Sequence, residues 1–199
     1  MMNFNPIKRL RLKAAYEDAK AFADVVRDED FLVELFEWSE RGTIFIVDDT
    51  EAGYSRFVTD TNGLGFDKAL KVVNRGHKDM FLWHIDGLIY KKDSKCDCAL
   101  LTDESIRFIE FKSNAANKTR EAIIENYDKA KNQLKLTFDD VNERCRKVGI
   151  DLKTSARPRA YAVFNRTVPS LNAYQKKLAA QFLLETDGVS LEFKNETII

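Results

Sequence analysis

Histidine is scarce in this 199-residue chain. Only His77 and His84 occur, which excludes chemistry built on several imidazoles, such as a His-rich zinc site. Cysteine is nearly as sparse. Cys96, Cys98 and Cys145 are odd in number, and the Cys-x-Cys spacing suits neither a disulfide scaffold nor a zinc ribbon. All three therefore read as reduced, buried thiols in a cytosolic protein. No segment approaches the ~20 apolar residues of a membrane span, and the stretch "MMNFNPIKRLRLKAAYEDAK" has no uninterrupted apolar core for secretion. The expected location is cytoplasmic, with no membrane partner. A surplus of either charge is missing too: Lys plus Arg and Asp plus Glu both total 32, so no global basicity announces a polyanion. Repeats, low-complexity tracts and linkers are not found either.

What is present suits a single domain over 1–199, since 44% hydrophobic and 32% charged residues are enough to bury a core and keep it soluble. The charge is unevenly placed. Residues 1–90 carry 12 basic and 16 acidic side chains, and residues 91–199 carry 20 and 16. Positive charge is thus concentrated in the half that also holds the most regular patterning.

That patterning predicts an N-terminal region (1–65) of one or two helices up to Ser39 and a hairpin of "TIFIVDD" and "YSRFVTD". The stretch "FDKALKVVNRG" reads as a short helix ended by Gly76. Three strands follow, in "MFLWHIDGLIY", "KCDCALLT" and "SIRFIEFK". A long amphipathic helix from about Lys118 to Lys147 is predicted by Ile123, Tyr127, Ala130, Leu134, Phe138, Val141 and Cys145, spaced by three and four. "RAYAVFN" is then a strand that completes a core of 66–166. A helix opened by Ser170 and a last strand "VSLEFK" fill 167–199.

Glu-Phe-Lys occurs twice, at Glu110 to Lys112 and at Glu192 to Lys194. In a strand both charged side chains of each copy project from one face. Only the first copy has an acidic partner. A hairpin turning at Asp103 and Glu104 pairs Thr102 with Ser105 and sets Asp97 opposite Glu110. Opposed carboxylates repel, and apolar neighbours raise the cost of desolvating them. A hard divalent cation resolves that conflict, because Mg²⁺ takes oxygen ligands and commonly needs only one or two carboxylates.

Asp97, twelve further residues, and Glu110-Phe111-Lys112, placed on the second and third strands of a helix-strand-strand-strand-helix-strand order, resemble the PD-(D/E)xK superfamily of nucleases. The resemblance spans roughly 68–165. It implies an α/β, restriction-endonuclease-like αβββαβ core, with a mixed central sheet flanked by helices and an N-terminal helical and hairpin elaboration. It also implies Mg²⁺-dependent hydrolysis of phosphodiester bonds, with Mn²⁺ able to substitute and nucleic acid, DNA first, as the partner; a homodimer stays open. By the same resemblance Asp97, Glu110 and the Phe111 backbone carbonyl bind the metal, Lys112 orients or activates the attacking water, and Gln133 stands near the site from the following helix. Cys96 replaces the family's proline. An additional acidic residue, for which Asp67 and Glu34 are the candidates, is not assigned.

The residue types suit that chemistry on their own terms. A metal neutralises a phosphodiester and lowers the pKa of bound water, and a lysine stabilises the extra charge of the transition state. Lys91, Lys92, Lys118, Arg120, Arg157 and Arg159 are candidates to hold the phosphate backbone. Asp86 is a competing carboxylate for the metal. His84 reads as structural, and Glu192 with Lys194 as an ordinary solvated strand. Two alternatives accompany the DNA nuclease reading: a binding module that keeps the fold without turnover, and an RNA-cleaving enzyme.

Overall fold

The computed structural model describes residues 5–16, 35–60, 68–86, 95–112 and 119–199. Two short helices, α1 (Asn5–Arg9) and α2 (Leu12–Ala15), precede ten strands and three further helices. The strands are β1 (Phe36–Ser39), β2 (Thr43–Asp49), β3 (Tyr54–Val58), β4 (Leu70–Val73), β5 (Met80–His84), β6 (Cys98–Leu101), β7 (Ile106–Lys112), β8 (Arg159–Phe164), β9 (Ser190–Glu192) and β10 (Glu196–Ile198). The helices are α3 (Arg120–Lys147), α4 (Leu152–Ser155) and α5 (Asn172–Glu185).

A six-stranded sheet runs in the order β1-β5-β6-β7-β8-β9. Pairing is antiparallel from β1 through β7 and parallel from β7 through β9, so the sheet is mixed. The long helix α3 makes the crossover that a parallel β7–β8 connection requires. A second sheet has the order β10-β4-β2-β3. The class is therefore α/β, as expected.

Alternation decides what each face of the large sheet meets. Phe81, Trp83, Ala99, Leu101, Ile106, Phe108, Ala160 and Ala162 pack with the α3 stripe, whose seven predicted positions are all buried. Met80, Leu82, Cys98, Leu100, Ile109, Phe111, Tyr161 and Val163 pack instead against Ile44, Ile46, Phe57, Leu70 and Val72 of the small sheet. Strands covered on both faces read as continuous apolar runs, which is why β5 to β7 carry so little polar alternation. Burying each large side chain contributes roughly 1.5–3 kcal/mol before the opposing chain entropy.

Four expectations are corrected. Among the described residues, the helices pack on one face of the large sheet and the small sheet covers the other, where a sheet flanked by helices was expected. The described part of the helix expected at "FDKALKVVNRG" is strand β4, because Leu70 and Val72 seal the space between the sheets while the backbone pairs with β2 and β10. Residues 36–39 are strand β1, not a helix end, and pair with β5. Leu171, not Ser170, is the N-cap of α5, and Ser170 Oγ instead contacts the side chains of Asn172 and Gln175. The expected hairpin is found as β2–β3, with Gly53 at φ 76° in its turn, a conformation that glycine adopts without strain. Strand β10, which the sequence did not announce, returns the chain to the small sheet beside β4.

Candidate active site

The β6–β7 register is the expected one: Cys98 pairs with Ile109 and Leu101 with Ile106. The turn is closed by the Thr102 N–H to the Ser105 carbonyl at 2.9 Å. The paired ladder ends at Cys98, and Asp97, at the bend just before it, feels the charge of Glu110. Asp97 is half-buried, and its Oδ2 accepts the Phe111 N–H at 2.6 Å. Its own carbonyl accepts the N–H groups of Ile85 and Asp86 at 3.2 and 3.1 Å, which ties this corner to the end of β5.

Phe111 and Ile109 point into the interface between the sheets, so Glu110 and Lys112 project to the opposite face, under α3. There the Lys112 ammonium pairs with Glu110 Oε1 and donates to Gln133 Oε1 at 2.6 Å. Gln133 Nε2 donates to the Lys95 carbonyl at 2.9 Å. One turn further along α3, the Thr137 hydroxyl accepts the Cys96 N–H at 2.8 Å and donates to the Gln133 carbonyl at 2.8 Å. Helix α3 thus holds both the lysine and the segment that delivers Asp97.

Glu110 is 1% exposed, and its second oxygen, Oε2, has no hydrogen-bond partner. Burial pushes its carboxyl up to about 7, opposed by Lys112 and assisted by the negative charges of Asp86 and Asp48. Burial and then the neighbouring Glu110 push Asp97 well above the ordinary carboxylate range, against the pull of the Phe111 N–H. Burial also holds the Cys96 and Cys98 thiols well above their usual value, so neither is a nucleophile.

Asp48 belongs to this electrostatic cluster and was not singled out in the sequence. It lies on β2 opposite Ser55, at the end where the Tyr54 ring meets His84 at 4.8 Å. Burial raises its carboxyl first, Asp86 and Asp49 raise it further, and Lys112 lowers it. Two acids closing an apolar strand were its only sequence signal. Thr137, fully buried on α3, had none beyond its place one turn after Gln133.

The other candidates divide. Asp86 is exposed at the rim, and its charge is felt by Glu110 and Asp48. The Lys95 ammonium donates to the Leu136 carbonyl at 3.1 Å. Arg120 opens α3 thirteen residues before Gln133, about 20 Å away along the helix. Arg159 pairs with Arg107 while Lys112 pairs with Phe164, so Arg159 and its neighbour Arg157 sit about 17 Å away at the opposite end of β7. Neither arginine therefore stands beside the carboxylates. Lys91, Lys92, Lys118, Asp67 and Glu34 lie outside the described residues. Glu192, half-buried at the end of the three-residue β9, pairs with the exposed Lys194 beyond that strand at 2.5 Å and with Arg159 at 3.5 Å.

Among the described residues, no three His, Cys, Asp or Glu side chains group closely enough to hold a metal ion by themselves. No helix among them is long and apolar enough to cross a membrane. No family model matches the chain, and no curated protein or solved structure matches it significantly.

Proposed function

We propose that the chain is a divalent-metal-dependent nuclease of the PD-(D/E)xK, restriction-endonuclease-like type, hydrolysing phosphodiester bonds in DNA. The observation that carries this reading is the buried Oε2 of Glu110, which has no hydrogen-bond partner although Oε1 pairs with the Lys112 ammonium and Asp97 feels the Glu110 charge. A desolvated oxygen with no donor is costly unless a cation completes it.

The donor set fits Mg²⁺. Asp97 and Glu110 supply hard carboxylate oxygens. The N–H and C=O of a strand residue leave the same edge, so the Phe111 carbonyl is directed to the side where Asp97 takes its N–H. Two carboxylates and a carbonyl are too few for a closed cage, which suits an ion that keeps several waters and takes phosphate oxygens. When bound, such an ion would neutralise the scissile phosphate and lower the pKa of a coordinated water.

The chain's own groups supply the rest. Lys112 Nζ has three N–H donors, of which Glu110 and Gln133 take two, leaving one for the attacking water or a phosphate oxygen. Gln133 fixes the direction of that ammonium and is a positioning residue. Its second bond, to the Lys95 carbonyl, keeps the lysine and Asp97 in register. Helix α3 and the small sheet exclude water from the two faces, which strengthens every charge interaction between them.

The test is cleavage of plasmid DNA, single-stranded DNA and RNA with Mg²⁺ or Mn²⁺ by wild type and by Asp97→Ala, Glu110→Ala and Lys112→Ala. Metal-dependent cutting of DNA that each variant lowers at least a hundredfold is expected. A protein that cuts nothing but binds nucleic acid is a binding module, and one that cuts only RNA is a ribonuclease. Equal cutting by wild type and variants places the chemistry elsewhere.

A further inference from the structure

A polar cavity of about 200 Å³ opens at the β6–β7 turn, lined by Lys78, Thr102, Ser105, Arg107, Arg157 and Arg159 together with Glu104, Ile198 and Ile199. Four cations face one carboxylate there, and Glu104 is already engaged by Lys78 at 3.5 Å. The cavity lies at the far end of the hairpin from Asp97 and Glu110, and Arg107 projects from the face of β7 opposite Glu110.

Arg107 distinguishes this cavity from an ordinary basic surface. It is only 6% exposed, yet the groups that accept from it are neutral: Ser105 Oγ, the Ile198 carbonyl at 3.3 Å and the Tyr161 hydroxyl. Its Nε is buried with no partner at all. Glu192, the carboxylate whose charge it feels, is engaged by Lys194 at 2.5 Å and by Arg159 at 3.5 Å. A buried guanidinium without an anion is costly. Arg157, on the rim, is held at φ 36°, a left-handed conformation unusual for a residue with a side chain. Strain of that kind persists where the surroundings impose it and is common at ligand clamps.

We propose that this cavity binds a phosphate group, with Arg107 as its buried anchor and Arg157 and Arg159 closing over it from the rim. A carboxylate would leave most of the cationic lining uncompensated. A phosphate presents several oxygens in a tetrahedron and takes donors from several directions, including guanidinium forks and whichever of the Ser105 and Thr102 hydroxyls does not donate to the other. The site does not depend on the nuclease reading, because none of its residues belongs to the carboxylate corner.

Binding is measured in EDTA at constant ionic strength, so that no turnover occurs and general screening is fixed. Wild type, Arg157→Ala and Arg159→Ala are titrated with inorganic phosphate, and then with single-stranded DNA of one sequence with and without a 5′-phosphate. Both arginines are exposed, so the variants fold even where Arg107→Met does not. Saturable phosphate binding, weakened about tenfold by each variant, is expected. An equal loss for DNA assigns the phosphate to a nucleic-acid chain, and loss for inorganic phosphate alone assigns it to a small phosphorylated ligand. Glu192→Ala would not be informative, because Glu192 pairs with Arg159, so the comparison with Asp97→Ala is made with inorganic phosphate alone, whose binding stays intact. No saturable binding, or equal affinity in wild type and both variants, overturns the proposal.

Discussion

Asp97 accepts the backbone N–H of Phe111, so the side chain of one strand entry caps the backbone of the strand beside it. The Asp97 carboxylate is thereby placed by the same strand that carries Glu110 and Lys112. Replacing it tests structure and chemistry separately. Asp97→Asn keeps an acceptor for Phe111 and should unfold within about 1 kcal/mol of wild type in denaturant, whereas Asp97→Ala strands that N–H and should cost about 1–3 kcal/mol. Both should lose metal-dependent cleavage.

Glu110 gives a pH signature. Its folded-state carboxyl is raised from 4.5 to about 7, so the folded state holds the proton more tightly than the unfolded chain. That contribution to stability is complete below about pH 4.5 and is lost as the pH rises through about 7, by up to roughly 3 kcal/mol. The metal-free protein should therefore melt progressively lower across this window, and the melting temperature of Glu110→Gln should be flatter and higher at pH 8. Mg²⁺ should stabilise wild type at pH 8 and have little effect at pH 5.5, where protons compete for the same oxygen.

Thr137 is expected to act through position alone. Thr137→Val removes the acceptor for the buried Cys96 N–H and should cost about 1–3 kcal/mol in denaturant. It should also weaken Mn²⁺ binding by loosening the segment before Asp97, and Thr137→Ser should restore both.

Asp48→Asn removes one negative charge that both Glu110 and Asp97 feel. The half-saturating Mg²⁺ concentration for cleavage should rise several-fold, while metal-free stability at pH 8 rises slightly. An unchanged metal titration would show that Asp48 lies too far from the cation to matter.

Glu192→Ala and Lys194→Ala serve as controls. Lys194 is exposed and Glu192 half-buried at the sheet edge, so each should alter stability by less than about 1 kcal/mol and leave cleavage within about twofold of wild type. A large loss of cleavage in either would move the site to the second Glu-Phe-Lys.

The β6–β7 register was legible because its turn residues fix the pairing and a slip of one residue would turn every apolar side chain to the wrong face. The α3 stripe was legible because seven apolar positions at helical spacing have one solution. Strand β4 was not, since four residues of "LKVV" carry no decisive period, and it was the open edge of β2 that recruited them. Strand β1 was misread for the same reason, its pairing with β5 lying forty-odd residues away in sequence.

The sequence by itself determined the central hairpin with its Cys98–Ile109 register and the long helix after it, because local periodicity and a tight turn are short-range properties. Only the tertiary structure decided that a second sheet covers the other face, that Asp48 adds its charge to the corner, and that Arg157 and Arg159 gather around Arg107 instead of flanking the carboxylates. Those outcomes depend on which segments meet across the fold, and burial and charge take their values only after they have met.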